Sequence, residues 1–124
     1  MTRPAILVSL ALLLASPATL AQELPPDCGD PPMNTPDLPD GETVGRDNML
    51  AAVEAVREYS GAVDDYLSCM DRRFQVVGPW MNEDQQTRWQ EDLDTVHRNR
   101  IELQQAMNAE IRENNARTDP EAGS

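Results

Sequence analysis

The sequence has no lysine, one histidine, one phenylalanine and two cysteines, and beyond residue 21 it holds no long apolar run. Each shortage removes a class of function. Ten arginines stand against 22 carboxylates, for a formal charge of -12. Such a chain lacks the basic surface that neutralises phosphates, which argues against nucleic acid as a partner and disfavours anionic membrane surfaces. His97 is the lone histidine, so neither Ser60 nor Ser68 has a base beside it in sequence, and no G-x-S-x-G elbow is present. The two cysteines form no C-x-x-C pair, no Cys/His cluster offers a zinc site, and no D-x-D-x-D-G loop offers a calcium site. No segment of about 20 residues or more repeats, so a solenoid is not indicated. With so few aromatics, any core must be small, and a chain of this size usually adds a disulfide or a partner chain to reach stability.

What is present begins with a leader. Arg3 supplies a positive start, Ala5 to Ala15 is an apolar run, and "ATLAQ" offers a small-residue cleavage site after Ala21. The apolar run is too short to span a bilayer, which takes about 20 residues. Cys28 lies well past the expected cut, so no lipid anchor is expected at the new N-terminus. The reading is an exported protein, periplasmic or secreted, with no membrane insertion once the leader is removed. Loss of Arg3 leaves nine arginines against 22 carboxylates, a formal charge of -13.

The rest divides into a proline-rich extended arm (22–44), a helical hairpin (45–113) and a polar tail (114–124) expected to be disordered. Met49, Val53, Val56, Val63, Leu67, Met70 and Phe74 keep alternating steps of four and three, with Ser60 in the stripe. That spacing predicts a helix from about Gly45 to Arg73 with a lengthwise seam. One residue earlier at each step runs a second stripe, Ala52, Ala55, Tyr59, Ala62, Tyr66 and Cys69, which makes an adjoining face of small residues and tyrosines. Gly78 and Pro79 end this helix. Asn82 caps the next, with Gln85 three residues on as in a capping box. The second seam is Trp89, Leu93, Val96, Leu103, Met107 and Ile111, interrupted by Arg100, and the helix is expected to end near Ile111. Two long helices joined by a short turn lie antiparallel, so the fold class is all-α: an antiparallel two-helix hairpin with the extended arm packed on the first helix.

The arm's length fits that arrangement. From Thr43 to Cys69 a helix rises about 39 Å, and the arm from Cys28 to Thr43 covers about 46 Å in polyproline II. The arm can therefore run back along the helix and join Cys28 to Cys69 in a disulfide, as an oxidising compartment favours. On the same measure Pro31 falls near Tyr66, and Met33 or Pro36 near Tyr59, with the tyrosines as the floor on which the prolines pack.

The stretch "TPDLPDGETVGRDNMLAAVEAVREYSGAVDDYLSCM" resembles a family of small, exported, uncharacterised proteobacterial proteins. In that family a proline-rich, cysteine-containing start leads to a P-x-L-P-D-G-like turn and a helix ending in Y-L-x-C. The matching residues are Pro36, Pro39, Asp40, Gly41, Met49, Ala52, Tyr59, Tyr66, Leu67 and Cys69, and the resemblance covers about residues 28–70. It implies fold and location and brings no activity with it.

Two further sites deserve weighing. Asp94 or Glu91 with His97, joined by Asp64 or Asp65 of the facing helix, has half the pattern of a bundle metal site. A surface histidine among carboxylates explains the same residues, and no metal or cofactor is expected. Trp80 and Met81 at the hairpin tip either cap the small core at the turn or anchor a partner. The function expected is non-enzymatic: an envelope protein with an interaction or structural role, whose partner is a second copy or another helical envelope protein. The alternative is a cation-binding or envelope-stress accessory protein that uses its acidic surface.

Overall fold

The computed structural model describes residues 26–118. The expected leader, its cleavage site and residues 119–124 lie outside that range. Two helices, α1 (Arg46–Val77) and α2 (Glu83–Thr118), are linked by the 3-10 turn Gly78–Trp80. No strand occurs among the described residues, and α1 packs along α2.

The local chemistry accounts for the ends. Gly45 is extended at the N-cap of α1, and its carbonyl accepts from Met49 N at 3.0 Å. At the other end Pro79 stands in the first turn of the 3-10 segment, where a missing N–H costs nothing. Gly78 is buried against a ring, since a Cβ there would lie 3.0 Å from Phe74. The capping box forms in both directions: Gln85 N donates to Asn82 Oδ1 at 2.9 Å and Asn82 N to Gln85 Oε1 at 3.0 Å. Gln86 Nε2 then reaches back to the carbonyls of Gly78 and Met81, at 3.2 and 3.3 Å, and ties the turn to α2.

The core is one seam. Met49, Val56, Tyr59 and Val63 of α1 meet Val96, Leu103 and Met107 of α2, and Leu38, Val44, Leu67 and Ile111 pack at its margins. Met49, Val56 and Val63 are seven residues apart, as are Val96 and Leu103, so the heptad reading identifies these buried positions. Tyr59 of the adjoining stripe is buried with them, while Val53, Leu67, Met70 and Leu93 of the expected seam are half-buried. Toward the turn the seam continues as Phe74 against Trp89, ring centroids 5.7 Å apart. Arg100 takes a seam position as a charge. Its side chain is 14% exposed and its guanidinium is paired with Asp64 across the hairpin. The aliphatic stem can cover apolar surface while the head reaches that carboxylate.

The second helix runs further than the composition after Ile111 suggests. α2 continues to Thr118, and Asn114 is buried at 7% exposure. The reason is a polar contact: Asn114 Nδ2 donates to the Val44 carbonyl at 3.0 Å and the Gly41 carbonyl at 3.4 Å. Residues 114–118 are thus a last helical turn held by the arm, and the expected tail is corrected by that much.

Candidate functional site

The arm is the feature that distinguishes this hairpin. It is anchored at one end by the Cys28–Cys69 disulfide, with Cα atoms 5.7 Å apart. Gly29 follows with φ at +68°, a left-handed conformation that glycine adopts without cost. The arm then runs antiparallel to α1. Tyr59 is 8% exposed, and its hydroxyl donates to the Pro32 carbonyl at 2.8 Å. Burial raises the Tyr59 phenol above its ordinary pKa, with Arg100 opposing, so the group is a neutral donor at physiological pH. Tyr66 is also raised, first by burial and then by Asp92.

Contacts of the arm extend beyond α1. Pro31 and Met33 share a hollow with Tyr66 of α1 and with Asp92, Thr95 and Val96 of α2. Asn99 Nδ2 of α2 lies 3.7 Å from Met33 Sδ. The arm therefore lies in the groove between the helices and covers one side of the seam. Pro36 is half-buried farther along. At the Tyr59 level the arm presents a backbone carbonyl, one residue earlier than Met33, the nearer of the two positions that the length argument placed there.

The arm's other end closes in a lock that the sequence reading missed. Asp40 forms a turn in which its carbonyl accepts from Thr43 N and Val44 N at 3.1 and 2.9 Å, and its Oδ1 from Glu42 N at 2.9 Å. Gly41 N donates to Glu110 Oε2 of α2 at 2.7 Å. A Cβ on Gly41 would collide with the Glu110 carbonyl oxygen, so only glycine permits this approach. Asn114 and Arg117 complete the lock at the Val44 carbonyl. One signal was available: Asn114 falls seven residues after Met107 and so continues the seam with a polar residue.

This lock gathers carboxylates. Asp40, Glu110 and Glu113 present oxygens within 4.8 Å of one another. Glu113 is raised above its ordinary pKa, first by the charge of Glu110, then by burial, Glu42, a hydrogen bond with Glu110, and Asp40. A carboxyl raised in the folded state contributes stability that is fully present below its unfolded pKa and is lost as pH rises through the folded value. Glu113→Gln is therefore expected to raise the melting temperature at neutral pH and to flatten the gain seen on mild acidification. An unchanged pH profile of melting would remove the role given to Glu113.

The metal pattern considered around His97 is occupied otherwise. Arg100 lies between its two halves, paired with Asp64 and donating from Nη2 to His97 Nδ1 at 2.9 Å. Asp64 and His97 thus hold a guanidinium. At the hairpin tip Trp80 is 89% exposed and Val76 45%, while Met81 is half-buried. Phe74 and Trp89 close the core there, so Trp80 does not cap it.

Fold and site together define a class: a helical hairpin whose one groove is covered by a disulfide-anchored arm. Comparison of the chain with protein-family models, curated proteins and solved structures found no match. No helix among the described residues is long and apolar enough to cross a membrane.

Proposed function

We propose that this is a non-enzymatic exported protein with an interaction or structural role in the cell envelope, completing its apolar surface with a second copy or another helical protein. The exposed Trp80 carries the reading. It sits on a tip fixed by the capping box and by the Gln86 bonds, and a tryptophan presented on a rigid turn can bury a large area at little entropic cost. The disulfide and the leader-like start support an exported location. The test is capture from a native envelope extract with the oxidised protein as bait. A partner retained by the parent and lost on Trp80→Ala is the expected result. Equal retention by both proteins would remove the tip from the interface.

A second reading, cation binding, is favoured by the carboxylates of Asp40, Glu110 and Glu113. Glu110 is already engaged by the Gly41 amide, which leaves a small site. Millimolar calcium added to the parent and to Glu113→Gln discriminates: a ligand that binds only the folded state raises the parent's melting temperature. No calcium effect on the parent ends this reading.

A further inference from the structure

Among the described residues the groove opposite the arm is open. Two adjoining hollows share Val53 and Ile111 and run from Arg46 and Thr118 at one end to Ser60 and Gln104 at the other. That stretch of α1 is about 21 Å long. Leu50, 55% exposed, stands over it. None of the side chains lining it is acidic, in a chain with a formal charge of -12. On its rim Glu54 is paired with Arg57 at 3.0 Å, Asp64, one turn past Ser60, is paired with Arg100, and the exposed Asp47 stands beside Arg46. The arm side is the reverse, with Asp40, Asp92, Glu102, Glu110 and Glu113 along it.

We infer that the open groove is a dimer interface occupied by the same groove of a second copy, a refinement that rests on the interaction reading above. Two chains of such charge repel each other across most of their surfaces and can approach closely only through a face free of net negative charge. A two-fold interface must also be self-complementary. This face is: its apolar floor needs an apolar partner, and Gln104, Asn108 and Asn115 carry amides that donate and accept, so each can pair with its own kind. Arg57 and Glu54 place both signs on one rim, so this rim adds no net charge to the interface. The product is a four-helix arrangement with the two arms on its outer faces and the Trp80 tips free.

Sedimentation equilibrium of the oxidised protein from about 1 μM to about 1 mM tests this. The expected result is a mass that rises from one chain to two and stops. Leu50→Glu, and the milder Leu50→Gln, are expected to weaken association at least about tenfold with helical circular dichroism unchanged, because Leu50 is exposed in the single chain. Trp80→Ala is expected to leave association untouched. A one-chain mass throughout, growth beyond two chains, or association lost on Trp80→Ala but kept on Leu50→Glu would each overturn the proposal. A parent that stays single yet still captures a Trp80-dependent partner sinks the dimer alone. A parent that does neither sinks the interaction reading as well.

Discussion

Replacing Cys28 and Cys69 together by serine is expected to destabilise the protein by about 4 kcal/mol. The disulfide closes a sequence separation of 41 residues, and loop-closure entropy for a loop of that size amounts to about 4 kcal/mol at room temperature. The effect is large beside what the chain can gain elsewhere, because the buried apolar set is confined to a single seam and small domains have about 5 kcal/mol in total. Between the disulfide and the Asp40 turn the arm has few other anchors. They are the Tyr59 bond to Pro32, the contact of Asn99 with Met33, the Pro31 and Met33 contacts in the hollow with Tyr66 and Leu38 at the margin of the seam, and prolines supply no N–H of their own. Urea unfolding followed by circular dichroism checks this, with the slope compared so that a looser native state is not read as lost stability. A midpoint unchanged by the double substitution would mean that the lock at Gly41 and Asn114 holds the arm without help.

How much of this was legible follows from what a periodic pattern can carry. Met49, Val56, Val63, Val96 and Leu103 are apolar, recur at heptad spacing and are buried; one physical cause, lengthwise packing, produces both facts. Asn82 and Gln85 were readable because a capping box is local, its donors and acceptors fixed by three residues of separation. The cysteine pairing was readable because a stiff arm and a straight helix have lengths set by their geometry. Arg100 and Asn114 were opaque for the complementary reason. A polar residue in a seam looks like an interruption or an end until its partner is known, and those partners, Asp64 and the Val44 carbonyl, lie 36 and 70 residues away. Glu110 gave no signal either, since its role depends on one backbone amide of an arm with no period. Trp80 shows a different limit. A large aromatic beside a glycine-proline turn reads first as a core cap and second as an exposed anchor, and the first reading failed because Phe74 with Trp89 had already filled the space.

Tyr59 supplies the second large effect. Its ring belongs to the buried seam and its hydroxyl to the arm, so two substitutions separate the roles. Tyr59→Ala removes both and is expected to cost about 3 kcal/mol, the lower end for truncating a buried aromatic. Tyr59→Phe keeps the ring and leaves the Pro32 carbonyl without its donor, for about 1 kcal/mol. Proteolysis near Met33, which is 45% exposed, reports on the arm directly: Tyr59→Phe should speed cleavage there more than it lowers the urea midpoint. The decisive measurement repeats Tyr59→Phe in the chain lacking both cysteines. If the disulfide is what keeps the arm in its groove, the hydroxyl has nothing left to hold and the second substitution costs close to nothing, a non-additivity expected of groups that share one element. Equal costs with and without the disulfide would show an arm that stays docked when untied, held from its far end by Gly41 and Asn114.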